Sequence, residues 1–370
     1  MRTKGVWLQG RLVKQMGSGL RILYLDILRV LSCIGVVGIH LSSNGWDVFP
    51  TASWQWQTLC AYNTVGTLGV AIFFMISGAL YLDAARPVGA KHMLRKALHL
   101  TVLYYGWLVL YNLKELLAQR RSLQMADLQY LVDQVLRGEG GFHLWFLPSM
   151  VGLYLITPLL RPAFAKKQNC EYLLAGYILV VLVLPQWVSF SLPGAQTLQM
   201  IGSNFFWTFQ SLNYTGYFVL GHYLHSWPLA SRPRCRHPLA WSAGVTVVAM
   251  GATVALRGGC SLAAGCNVYL NNPLTLADFM ACAGLWGLVQ QLFPNGQSVW
   301  QTRLNLLARL SLGVYLLHPA VLDPLNDWLL SWRMDFPPLT TPVQVLLVVA
   351  LCTAVTAVLR KIPVIRYLVS

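Results

Sequence analysis

The sequence predicts an all-α fold: a polytopic membrane helical bundle of about ten transmembrane helices with both termini in the cytoplasm. Three observations carry that expectation. Of 370 residues, 56% are hydrophobic and only 11% charged, a balance too apolar for a soluble domain. Apolar stretches of spanning length recur from one end of the chain to the other. The basic residues then alternate between the stretches: 20 of the 27 Lys and Arg fall in the leader, the even-numbered loops, the C-terminal tail or, for Arg309, the adjoining end of the ninth stretch. That is the positive-inside pattern, and it explains the net charge of +15 without a nucleic-acid partner.

The spans are expected near Ile22–Leu41, Val65–Leu82, Ala97–Leu113, Leu144–Leu160, Leu173–Phe190, Phe205–Leu224, Leu239–Leu256, Leu274–Phe293, Leu306–Leu322 and Pro342–Leu359. Residues 1–21 form a basic cytoplasmic leader without an apolar signal region, and Met16 offers a second start just ahead of the first span. Residues 22–370 read as one membrane domain, with no tandem repeat or low-complexity tract.

The first span places an acid, a base and an imidazole in apolar surroundings: Asp26, Arg29 and His40 in DILRVLSCIGVVGIH. Ionisable groups at that depth are costly and usually functional. Eleven residues separate Arg29 from His40, which returns them to within about 20° of one helix face while climbing about 16 Å. One face therefore carries charge near one end and a titratable ring near the other. Asp26 is expected to pair with Arg29, because a lone charge there would be expensive.

After the first span, Trp46, Trp54, Trp56 and Tyr62 fill an external loop, as an interfacial belt or a platform for sugar rings. The second span carries Gly66, Gly69, Ser77 and Gly78, small residues that admit a neighbouring helix closely. Such faces serve packing within a chain as readily as between chains, so they commit the protein to no particular oligomeric state. The turn that follows, RPVGAKHMLRK, places Lys91 and Arg95 four apart, on one helix face. They either anchor the loop or seat phosphate groups.

Between the third and fourth spans, Leu128, Leu131, Val132, Val135 and Leu136 recur at helical spacing up to Gly138. This predicts an amphipathic helix lying on the membrane surface. It leads into FHLWFLPSM, which puts His143 and Trp145 at the external mouth of the fourth span. His222 and His225 near a cytoplasmic end are expected to be solvated at the interface, and Asp278 in the eighth span needs a partner. In the ninth span, RLSLGVYLLHPAVLD sets Ser311, Tyr315 and His318 on one face, just before Pro319. Cys33, Cys282 and Cys352 read as packing residues. Cys260 and Cys266 share an external loop and would pair in an oxidising compartment. No cysteine pair has metal-site spacing.

From the residues alone two function classes fit. A secondary transporter or glycan-export protein would use Asp26, Arg29 and His40 as a proton relay. An enzyme would seat an anionic donor on Arg29 and Arg95 and carry out chemistry near His40.

Four runs in order, YLDILRV with its following His40, FFMISG, HLWFL and SLGVYLLH, resemble the acyltransferase 3 family of integral membrane O-acyltransferases. Within it the likeness is to the stand-alone type that acetylates enterobacterial common antigen, and it runs from about Tyr24 to the last span. The resemblance implies transfer of an acetyl group from acetyl-CoA as co-substrate, without a metal, to a hydroxyl of a lipid-linked or surface glycan at the periplasmic face. It also implies a multi-pass protein of the bacterial inner membrane, with membrane lipid as its surroundings. His40 falls on the family's essential histidine and Arg29 on its motif partner, with Asp26 beside them in the catalytic set. Lys91 and Arg95 match the basic positions associated with the donor. His143, Trp145, Tyr315 and His318 are then the expected acceptor-side residues.

Overall fold

The computed structural model describes residues 22–43, 46, 48–84, 86, 88–118, 124–189, 213–232, 235–268, 275–294, 299–333 and 336–369. The leader, with Met16, lies outside the described residues, as does the first part of the sixth predicted span. The helices are α1 (Leu23–Ser43), α2 (Trp54–Tyr81), α3 (Ala90–Ala118), α4 (Met125–Arg137), α5 (Phe146–Phe164) and α6 (Lys167–Tyr177). A π-helical segment (Ile178–Val183) then runs into α7 (Leu184–Ser189). The remainder are α8 (Thr215–Ser226), α9 (Pro238–Ala264), α10 (Leu276–Leu292), α11 (Val299–Arg333) and α12 (Pro337–Leu359). No strand occurs among the described residues.

Among the described residues, seven stretches are long and apolar enough to cross a membrane: Leu23–Ser43, Trp54–Tyr81, Phe146–Phe164, Lys167–Val188, Pro238–Ala264, Gln301–Leu329 and Pro337–Leu359. The other three expected spans fall short for separate reasons. Helix α3 is 29 residues long, but its run between Lys96 and Lys114 carries His99, Thr101, Tyr104, Tyr105, Tyr111 and Asn112, which lower its mean hydropathy. The described part of the sixth span is the 12-residue α8, and α10 has 17 residues.

Helices α1 and α2 form the centre, and their small residues explain how closely they meet. A Cβ at Gly69 would sit 2.5 Å from the Ser32 carbonyl oxygen, and one at Gly35 would sit 2.9 Å from that of Gly66. On the other side of α2, a Cβ at Gly221 of α8 would come within 1.9 Å of the Met75 carbonyl oxygen. These backbones touch because no side chain intervenes, and dispersion between main chains replaces the hydrophobic drive that lipid removes. The largest apolar core gathers Leu28, Phe74, Met150, Tyr217 and Trp286 from α1, α2, α5, α8 and α10. A second joins α3 to α11 through Leu103, Leu108, Leu144 and Leu316, and a third joins α1, α11 and α12 through Val37, Leu41, Val314 and Val348.

Helix α4 stops where its periodicity predicts, at Gly138 with φ 75°. Leu128, Val132 and Leu136 stay exposed while Val135 packs against the core between α3 and α11, as expected of a helix resting on a lipid surface. Asp278 finds its partner in the cap of its own helix, accepting from the Thr275 backbone N–H at 3.2 Å and from its hydroxyl at 2.7 Å. Two local expectations are corrected. His222 is buried, with Nε2 3.0 Å from the Phe164 carbonyl oxygen, and the His225 ring bonds the Tyr24 hydroxyl. Both rings are tied into helix packing rather than solvated at an interface. Cys260 lies within α9 and Cys266 just beyond its Gly265 cap, and both thiols are free.

Candidate functional site

Helix α1 carries the site from end to end. Near its start, Arg29 Nη1 lies 3.5 Å from Asp26 Oδ1, with the carboxylate buried and the guanidinium partly open. One helical turn separates the two, so the pair forms without bending the backbone. Arg29 opens into a cavity of about 240 Å³ that it lines with Lys96 and His99 of α3, Ser77 of α2, Tyr154 of α5, and Ser311 and Tyr315 of α11. Between these polar groups the wall is apolar, formed by Phe73, Ile76, Leu100, Phe146 and Met150 among others. Three cationic or titratable nitrogens at the rim of a narrow apolar throat suit a ligand with an anionic head and a thin uncharged arm.

At the other end of α1 the His40 ring stacks on His318 of α11, with centroids 4.9 Å apart and planes inclined 26°. Phe142 meets His40 edge-on at 5.0 Å. His143 completes the group, 5.2 Å from His318 at 76°. His318 Nδ1 lies 2.6 Å from the Tyr315 carbonyl oxygen, so the proton sits on Nδ1 and Nε2 presents a lone pair. That Nε2 is buried with no hydrogen-bond partner in the protein. A buried polar atom left this way costs about 1–3 kcal/mol, so it is free to meet a polar atom of a ligand.

The turn before α5 sets His143. Gly138 and Gly140 have φ 75° and 91°, conformations that side chains disfavour. Buried Asn112 of α3 holds the turn by donating to the Leu108 and Glu139 carbonyl oxygens, each at 2.9 Å. A Cβ at Gly140 would strike that Asn112 side chain at 2.3 Å. The Tyr315 hydroxyl donates to the His143 carbonyl oxygen, and the Tyr111 hydroxyl to that of Leu316 at 2.7 Å. The His143 imidazole is thereby buried, and burial holds its pKa down to about 3, with the nearby His40 adding to the depression.

His143 and Phe142 also line a second cavity of about 320 Å³, with Tyr111, Lys114, Glu115, Pro319 and Asp323. An ion pair between Lys114 and Asp323 ties α3 to α11 at its edge. The two cavities have no lining residue in common. Tyr315 stands between them, its ring on the wall of the first and its hydroxyl on the backbone of His143. Among the described residues no group of three or more His, Cys, Asp or Glu is arranged to hold a metal.

The residues singled out by sequence divide accordingly. Asp26 and Arg29 meet at one end, and His40, His143, Tyr315 and His318 meet at the other. The Trp145 ring lies 5.3 Å from that of Tyr214 and lines a 630 Å³ cavity that shares Glu115, Gly140, Gly141 and Phe142 with the cavity beside His143. Lys91 and Arg95 are exposed on α3 and do not line the cavity that holds Arg29. Lys96 and His99 do. The basic cluster on α3 was legible in the sequence but its phase was not: Lys96 lies about 100° round the helix from Arg95, and His99 lies one turn beyond Arg95. Asn112 and Phe142 carried no sequence signal that set them apart.

No curated protein and no solved structure matches the chain. The family model for the acyltransferase 3 domain matches residues 22–361, from the start of α1 to just beyond α12. With so much of its length matched, the chain belongs to that family of membrane acyltransferases.

Proposed function

We propose that the protein is an O-acetyltransferase of the bacterial inner membrane. It moves the acetyl group of cytoplasmic acetyl-CoA to a hydroxyl of a periplasmic or surface glycan or glycolipid, with a glycan of the enterobacterial common antigen type as the first acceptor to try. One observation carries this reading: a single helix face presents Arg29 to a cation-rimmed cavity and His40 to an imidazole cluster beside a different cavity. In that arrangement donor and acceptor approach from opposite ends and meet between Tyr315 and His40.

Acetyl-CoA fits the first cavity by chemistry. Its phosphates suit Arg29, Lys96 and His99, and its pantetheine arm suits the apolar throat. The acceptor enters by the second cavity, where Phe142 offers a ring face for a sugar to stack on. Its hydroxyl oxygen attacks the thioester carbonyl while His40 takes the hydroxyl proton. The new C–O ester bond forms as the C–S bond breaks, and the thiolate that leaves receives a proton. General-base help of this kind is worth about 10²–10⁴-fold. His318 and His143 stay neutral in this scheme, because stacked imidazoles at this spacing repel a second positive charge. Asp26 keeps Arg29 extended toward the donor.

A transporter reading finds less support, since Asp26 and Arg29 neutralise each other and the cavities remain separate. The test is acetylation of membrane glycan in cells that carry His40→Ala. Loss of the modification at normal protein levels is expected, and unchanged modification overturns the proposal.

A further inference from the structure

His40 lies three residues from the end of α1, in the last turn, where a helix is short of hydrogen-bond partners for its carbonyl groups. Here the carbonyls are met by side chains of α1 itself and of α2. Ser42 Oγ donates to the Gly38 and Ile39 oxygens at 2.6 and 3.1 Å, and Ser43 Oγ to that of His40 at 3.0 Å. The Ile39 oxygen takes a further bond from α2: Asn63 Nδ2 donates to it at 2.8 Å. Asn63 Oδ1 in turn accepts from Arg257 Nη1 of α9 at 2.8 Å, and that nitrogen also lies 3.3 Å from Thr64 Oγ1. The guanidinium stacks 5.2 Å from the Trp46 ring. Both Asn63 and Arg257 are buried, at 2% and 7% exposure.

We propose that Asn63 and Arg257 are positioning residues for His40, acting through the Ile39–His40 peptide. The proposal rests on the reading of His40 as the general base. The Ile39 carbonyl and the His40 nitrogen belong to one planar unit, so fixing the oxygen fixes the plane from which the His40 side chain departs. Gly66 closes the same turn from α2, where a Cβ would come within 3.2 Å of the Ile39 nitrogen. With the backbone gripped on this side, the imidazole is aimed at His318 and Phe142 on the other. A buried arginine is expensive in a membrane protein, and a cation at a helix C-terminus is the placement that repays it. Arg257 serves the helix end by holding the Asn63 amide in the orientation that points Nδ2 at Ile39.

Asn63→Asp separates this role from simple bracing of α2 against α9. The aspartate keeps a partner for Arg257 but offers no donor to the Ile39 oxygen. We expect Asn63→Asp and Asn63→Ala to lower kcat about 10–100-fold, the scale of a misplaced catalytic group, with the KM for acetyl-CoA within twofold of wild type. The readout is CoA release from acetyl-CoA in membrane vesicles supplied with lipid-linked glycan extracted from the same membranes. A wild-type kcat in Asn63→Asp overturns the proposal, because the contact with Arg257 would then be all that matters. If the Asn63 variants do not fold, Arg257→Lys decides: a several-fold lower kcat at unchanged KM supports the role, and an unchanged kcat overturns it. His40→Ala runs alongside; if it turns over normally, the general-base reading itself has failed, whatever the Asn63 variants do.

Discussion

The two ends of α1 solve the problem of polar groups in a membrane in opposite ways. At the Arg29 end, charge is balanced at once: Asp26 neutralises the guanidinium within a turn, and the remaining cations stand at the rim of a cavity. At the His40 end the imidazoles are packed against one another and against aromatic rings, with His318 Nε2 left over. The first arrangement tolerates a strongly charged ligand. The second groups imidazoles with aromatic rings. On the proposed function the same helix divides binding from chemistry, and substitutions at the two ends should fail in different ways.

The largest expected effect tests the chemical end. His40→Ala should cut acetyl transfer by about 10²–10⁴-fold while leaving acetyl-CoA binding unchanged, as read by calorimetry on the purified protein. If binding fell in parallel, the division between the ends would be lost. Next, Arg29→Ala combined with Lys96→Ala should weaken acetyl-CoA binding about 10–100-fold, the scale of a lost charge-assisted hydrogen bond. Lys91→Ala with Arg95→Ala should change it less than threefold, since neither side chain lines the cavity; equal effects of the two double variants would move the donor seat to the loop side of α3. Phe142→Ala should raise the KM for the glycan several-fold and leave that for acetyl-CoA alone, which kinetics with each substrate varied in turn would read.

The smallest effect concerns acid. An unfolded chain protonates His143 near pH 6.5, whereas the folded one resists down to about 3. The unfolded state therefore binds the extra proton throughout that window, and stability falls as the pH drops through it. Melting temperatures of the detergent-solubilised protein should decline between pH 7 and 5, and His143→Phe should flatten part of that decline. An unchanged slope would mean that His143 is hydrated in solution.

Much of this division could be read in the sequence, because it rests on one helix. Helical spacing alone puts Arg29 and His40 on one face and Asp26 one turn from Arg29, and the structure keeps that order. Tyr315 and His318 were legible for the same reason, being three apart on a single helix. What depends on two helices was harder to see. The choice between Lys91 with Arg95 and Lys96 with His99 turns on how α3 is rotated against α1, which no spacing within α3 reveals. Trp145 follows His143 by two residues, yet it faces Tyr214 because α5 begins there and its first turn carries the ring around. Asn63 and Arg257 are 194 positions apart and meet only through the packing of α2 on α9. His222 and His225 were assigned to water on the strength of their place near a helix end, and tertiary partners claimed both.

The wall between the two cavities has a consequence for the cell. An enzyme that takes its donor from one side of an energised membrane and its acceptor from the other must not become a leak. Tyr315, Phe146 and the stacked imidazoles close the path with rings rather than with a moving gate. On the proposed mechanism only an acetyl group needs to pass this contact. The same packing that aims His40 would then insulate the membrane, so variants that shrink Tyr315 or Phe146 would be expected to cost the cell part of its proton gradient as well as its glycan modification.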